Sequence, residues 1–145
     1  MNKAKIVVDA RCRIPDAHLP GRLNKGKSSC GVLIIDEKEE EFKFKKYLGE
    51  MTVPEAEFRG LIFALDQAVS ISRYTVEVWM DSELVIKWMK GEYRMKKEHI
   101  RPLFDKAKKY EQRFKSVEYF HHPNTSILAK KTHKLAEEAY NASQL

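Results

Sequence analysis

Apolar and polar positions alternate with changing period along the chain. Lys5 to Ala10 reads KIVVDA, a β-branched run ending at Asp9, and predicts a first strand. Arg11 to Ser29 is polar and carries Pro15, Pro20, Gly21 and Gly26, the composition of a long loop. Cys30 to Ile35 predicts a second strand, Asp36 to Glu41 a charged turn, and Glu41 to Leu48 a half-exposed third strand with Phe42, Phe44 and Tyr47. Thr52-Val53-Pro54-Glu55 has the form of a helix start: Thr52 caps, Pro54 sits in the first turn, and Glu55 completes a capping box. Leu61, Ala64, Leu65 and Ala68 form the apolar stripe of that helix, which extends to about Ser70. Tyr74 to Met80 sets Val76, Val78 and Met80 on one face of a fourth strand that stops at Asp81. Ser82 then caps a helix bearing Leu84, Val85, Trp88 and Met89, ended by Gly91. A basic helix over Ile100 to Phe114, a fifth strand over Val117 to Phe120 and a helix from about Ser126 to Asn141 follow. The order βββαβααβα implies an α/β fold, a mixed sheet with helices on its faces. No repeat, low-complexity segment or linker is visible, so residues 1–145 read as one domain.

Composition narrows the class. A chain of 145 residues with 43% hydrophobic content can bury a core, which excludes global disorder. The longest apolar run, Gly31 to Ile35, is far short of the roughly 20 residues of a membrane span. No apolar signal region follows Met1 to Lys5, and Cys12 and Cys30 lack CxxC spacing, so free thiols and a cytoplasmic location are expected. The net charge of +6 is concentrated: Lys87 to Lys115 holds eleven Lys/Arg and four Asp/Glu. Such a balance suits a polyanionic partner, because phosphate contacts release condensed counterions. A solvated helix face explains the same charges equally well.

Three carboxylates stand out by position. Asp9 ends the first strand, Glu57 shares the sheet-facing stripe of the first long helix, and Asp81 ends the fourth strand before a cap. Sites in α/β sheets gather where strand ends meet helix starts. Three acids drawn together there would need Mg²⁺ or Mn²⁺ to offset their repulsion. Taken singly, Asp9 also suits a turn, Glu57 a helix dipole and Asp81 the neighbourhood of a cap.

Asp9, Thr52-x-x-x-Ala56-Glu57, Asp81-Ser82-x-Leu84-Val85 and Leu135-Ala136-x-x-Ala139 together resemble the signatures of type 1 ribonuclease H, over Ile6 to Ala139. Gly91 through Pro102 is similar to the short helix junction of members without a separate basic-handle helix. The resemblance implies a ribonuclease H-like five-stranded mixed sheet in the order 3-2-1-4-5, flanked by helices. It also implies a metal-dependent endonuclease that cuts the RNA strand of RNA–DNA hybrids, leaving 5′-phosphate and 3′-hydroxyl ends. In that reading Asp9 bridges two ions about 4 Å apart, and Glu57 and Asp81 complete one of them. Thr52 and Ser82 would contact the nucleic acid. Arg11 and Lys27, in an Arg11–Ser29 insertion that departs from the family, suit phosphate contacts and solvated loop charges alike. A monomer without an obligate protein partner is expected. The competing reading is a non-catalytic nucleic-acid-binding module with a degenerate site. A 3′–5′ exonuclease of the DEDD type is disfavoured, because Asp9 is followed by Ala10-Arg11 and not by a D-x-E pair.

Departures from the pattern matter. His133 stands where the family's fourth acidic ligand belongs, within Thr132-His133-Lys134-Leu135-Ala136. Related nuclease-like folds place a His there, and imidazole suits Mn²⁺, so His133 is the expected fourth ligand, with Mn²⁺ favoured over Mg²⁺. Val53-Pro54 replaces the family's Asn pair, and Ala10 replaces its Gly after the first Asp. His122, with His121 and Asn124, precedes the last helix, where the family often places a His that assists product release. Trp79, Trp88, Tyr93 and Phe104 have helical or alternating spacing, which favours core packing over base stacking.

Overall fold

Strands β1 (Lys3–Arg13), β2 (Gly26–Ile35) and β3 (Glu41–Met51) form an antiparallel meander in a computed structural model that describes residues 3–15, 24–121 and 126–145. Helix α1 (Val53–Ala68) leads to β4 (Thr75–Met80), then α2 (Glu83–Met89), α3 (Arg101–Glu111), β5 (Ser116–His121) and α4 (Ile127–Ser143). The sheet order is β3-β2-β1-β4-β5, with β4 parallel to β1 and β5 parallel to β4. This is the five-stranded mixed sheet with flanking helices that the sequence implies.

Two strand boundaries differ most from the sequence reading, and α3 stops at Glu111, short of the expected Phe114. The span Arg11 to Ser29 is not all loop: Arg11, Cys12 and Arg13 pair with Ser29, Ser28 and Lys27. The ladder is made by main-chain groups, so polar side chains do not end it where one face is wet. Gly26 closes this hairpin, because a Cβ there would meet the Arg13 carbonyl. Likewise β3 continues past Leu48 to Met51. A register shift between Ser28 and Ser29 absorbs the extra residue, and Gly49, with φ +101°, allows it.

Helix α1 starts as its sequence requires. The Glu55 amide donates to the Thr52 hydroxyl at 3.4 Å, and the Thr52 amide donates to Glu55 Oε1 at 3.0 Å. Its apolar stripe, joined by Phe58, shares one buried cluster with Ile6, Val8, Val32, Ile34, Val76 and Val78. Burying such a side chain fully contributes about 1.5–3 kcal/mol each. Trp88 stacks on Phe58 at 5.9 Å, and Phe104 meets Phe58 edge-on at 6.3 Å, so these two rings serve the core. Trp79 stacks on Phe120 at 4.7 Å on the half-buried opposite face. Tyr93 departs from the core expectation. It is exposed, and its ring lies 5.1 Å from the Lys87 ammonium.

On the sheet face away from α1, α4 covers β1, β2 and β3. Two contacts set its depth. The Ser29 hydroxyl donates to the Ala136 carbonyl at 2.7 Å, and a Cβ on Gly31 would strike the Thr132 carbonyl. The outermost strand on this side, β3, alternates half-buried Phe42 and Phe44 with exposed Lys43 and Lys45. Among the described residues no helix is long and apolar enough to cross a membrane, and Cys12 and Cys30 are free thiols.

Candidate active site

Parallel pairing brings two of the three carboxylates level. The β1–β4 register ends at Val7 opposite Trp79, so two residues further on Asp9 and Asp81 leave adjacent strand ends together. Asp9 is 7% exposed, whereas Asp81 is on the surface. The capping box starts α1 so that Glu57 falls in its first turns, half-buried at the same end of the sheet. Ser82, the N-cap of α2, accepts from the Val85 amide at 3.3 Å and also hydrogen-bonds the Glu57 carboxylate. Burial pushes the Glu57 carboxyl above its ordinary value. The Ser82 hydroxyl opposes this, and the negative charges of Asp81 and Asp9 add to it. The three acids therefore sense one another as neighbours.

The α4 side carries His133. Gly31 is the β2 residue paired with Asp9, and because it lacks a Cβ, the α4 backbone seats directly on it. That close approach puts His133 Nδ1 at 3.5 Å from Asp9 Oδ2. The same ring nitrogen lies 2.7 Å from Arg11 Nη1, and Nε2 lies 3.0 Å from Glu137 Oε1. Sequence reading singled out His133 but missed Gly31, Ser29 and Glu137. The i,i+4 spacing of His133 and Glu137 was the available signal for the last of these.

Three carboxylates and an imidazole make a donor set that suits a divalent cation such as Mg²⁺ or Mn²⁺. The side chains are not gathered, however. Among the described residues, no three His, Cys, Asp or Glu side chains form a group ready to hold an ion.

The remaining candidates sit as follows. Arg11 is exposed and engaged with His133. Thr52 is buried, and its hydroxyl donates to Glu55 at 2.8 Å within the capping box. Lys27 is exposed, pairs in register with Arg13 and donates to Gln144 at 3.0 Å. It lies four residues along β2 from Gly31, about 13 Å at strand rise. His122 and Asn124 lie outside the described residues. His121 is exposed, 3.9 Å from Glu83. Part of the basic balance between Lys87 and Lys115 is spent on packing. Lys108 donates to the Met89 carbonyl at 2.6 Å and pairs with Glu111 at 3.3 Å, tying α2 to α3. Arg94, Lys96 and Lys97, between those helices, are exposed.

Known proteins share this architecture. The reverse transcriptase-like family matches residues 20–139. The bifunctional protein Rv2228c of Mycobacterium tuberculosis (strain ATCC 25618 / H37Rv) is 31% identical over 100 residues, 68% of this chain. This chain spans 28% of that protein's length. The structure of the N-terminal RNase H domain of Rv2228c, fused to maltose-binding protein, has a TM-score of 0.83 at 27% identity, covering 99% of this chain and 97% of that one. LC11-RNase H1 in complex with an RNA/DNA hybrid also has a TM-score of 0.83 at 27% identity, covering 98% and 99%. By that family match, and by a sheet and helix arrangement shared with ribonuclease H1 structures, the chain belongs to the reverse transcriptase-like family and has the ribonuclease H fold.

Proposed function

We propose that this chain is a metal-dependent endonuclease that hydrolyses the RNA strand of RNA–DNA hybrids. The observation that carries the reading is the placement of Asp9, Glu57 and Asp81 at one end of the sheet, on two adjacent strand ends and in the first turns of α1. Two relatives of matching fold, an RNase H domain and an RNase H1 with bound RNA/DNA hybrid, support the substrate class.

In this reading Asp9, Glu57 and Asp81 hold divalent ions, with His133 as fourth ligand. Bound ions would activate the attacking water and stabilise the leaving 3′ oxygen, giving 5′-phosphate and 3′-hydroxyl ends. The protein's share is placement. Burial of Asp9 fixes its carboxylate, the Ser82 hydroxyl keeps a hydrogen bond on Glu57, and exposed Asp81 meets the approaching backbone. The exposed bases between α2 and α3 track phosphates, which position the duplex without reading sequence. Selection of RNA requires contacts to 2′-hydroxyls. An imidazole in place of a fourth carboxylate favours Mn²⁺ over Mg²⁺.

One observation favours a second reading. Arg11 already occupies the His133 nitrogen that faces Asp9, as expected of a nucleic-acid-binding module without catalysis. Purified protein incubated with labelled hybrid, in Mg²⁺ and separately in Mn²⁺, decides between them. Internal fragments ending in 3′-hydroxyl, formed faster in Mn²⁺, are expected. Binding without cleavage in either metal selects the module, and release of mononucleotides selects an exonuclease.

A further inference from the structure

We propose that Arg11 is a built-in competitor of the metal ion, holding the His133 lone pair until a divalent cation displaces it. The inference rests on the metal-binding reading above and specifies how the fourth position works.

The argument starts from what an imidazole can do. A neutral His has one N–H donor and one lone-pair acceptor, and its partners decide which nitrogen is which. Glu137 Oε1 lies 3.0 Å from Nε2, and a carboxylate only accepts, so Nε2 carries the proton. Arg11 only donates, and its Nη1 lies 2.7 Å from Nδ1, so Nδ1 presents the lone pair. Both partners therefore select the same tautomer. The lone pair so defined is the ring atom that lies 3.5 Å from Asp9 Oδ2. A His whose far N–H is held by a carboxylate is oriented and made more basic as a metal ligand. Glu137 is thus a positioning residue, four positions along α4.

Arg11 gives the site its second property. Its guanidinium is a permanent cation seated on the donor atom that a metal would use, beside the buried Asp9 carboxylate. A metal ion and the guanidinium cannot share one lone pair. The fourth ligand is therefore available only after Arg11 has moved, and the cost of displacing it lowers metal affinity. Arg13, two residues along the same strand, bears the same charge but lies over the Tyr140 ring at 4.0 Å, so it supplies the control.

The test uses the full chain and Mn²⁺, with binding followed by the electron paramagnetic resonance of free ion. Arg11→Gln should tighten Mn²⁺ binding about tenfold, the lower end of effects from groups around a metal ligand. Arg13→Gln should leave it unchanged. The gain from Arg11→Gln should vanish in a His133→Ala background, since the competition runs through that ring. Equal tightening by Arg11→Gln with and without His133, or by Arg13→Gln, reduces the effect to net charge and overturns the proposal. No change on Arg11→Gln, while Asp9→Asn and His133→Ala both weaken binding, overturns it but leaves the metal reading intact. Mn²⁺ binding indifferent to Asp9→Asn and His133→Ala removes both. Independently, ¹⁵N resonances of the metal-free His133 ring should show Nε2 protonated and Nδ1 bare. Glu137→Ala should weaken that preference, leaving Arg11 alone to enforce it, and Glu137→Gln should keep it, since the amide oxygen still accepts. The opposite tautomer in the unsubstituted chain also overturns the proposal.

Discussion

At the β2–α4 corner of the candidate site, buried Asp9 lies beside His133, with Arg11 and Glu137 completing a network of both signs. At the β4–α2 corner, Glu57 receives the Ser82 hydroxyl and faces two further carboxylates. The first corner supplies its own counter-charge. At the second, burial pushes one carboxyl upward and its like-charged neighbours add to the push. A cation from solution therefore gains most at the second corner and must compete with a guanidinium at the first.

Asp9 belongs to both corners, and replacing it tests the comparison hardest. Asp9→Asn is nearly isosteric, so fold and hybrid binding should persist while cleavage falls by about 10²–10³ or more, the loss seen when a group that stabilises developing charge is removed. Circular dichroism with a cleavage assay checks this, and retained cleavage removes Asp9 from the chemistry.

The next substitution acts on the α4 corner alone. Gly31→Ala drives a methyl into the Thr132 carbonyl and to within 2.8 Å of Leu135 Cβ, so α4 must lift from β2. Overpacking of this kind costs about 1–3 kcal/mol. A melting temperature lower by several degrees is expected, together with an altered His133 ring resonance. An unchanged melting curve means that α4 does not rest on this glycine.

The smallest effect isolates the anionic corner. The folded chain holds the Glu57 proton more tightly than the unfolded chain, so this group's contribution to stability falls as pH rises above its ordinary 4.5. The penalty is complete once the carboxyl is ionised in both states. In metal-free buffer Glu57→Gln should melt higher than the unsubstituted chain near pH 7, with the difference closing as pH drops toward about 4. Parallel melting curves across that range show that the fold does not hold the Glu57 carboxyl above its ordinary value.

How much of this was readable in advance follows from the range of each interaction. The caps at Thr52 and Ser82 are local, each closing on an amide three residues away, and both were legible. So was the stripe of α1, because helical period alone selects Leu61, Ala64, Leu65 and Ala68. The pairing of Arg11 with His133 spans 122 positions, and no local pattern encodes it. Gly31 sits in an apolar strand where any small residue looks acceptable, and only the helix above it makes the missing Cβ matter. The polar ends of β1 and β2 were hidden for another reason: their ladder is written in the main chain, not in side chains. Lys108 lies in the basic span whose charge fitted phosphate contacts and a solvated face equally, and its proximity to Met89 could not be read from composition.

The rim strand β3 has one more implication. Eleven residues of extended chain at a sheet margin would ordinarily offer a template on which a second copy could zip its own backbone. Lys43, Lys45 and Lys46 cluster at the middle of that margin, so two such rims brought together there would oppose ammonium groups. The same lysines that leave the outer face wet thereby discourage this chain from growing into fibres through its longest open flank.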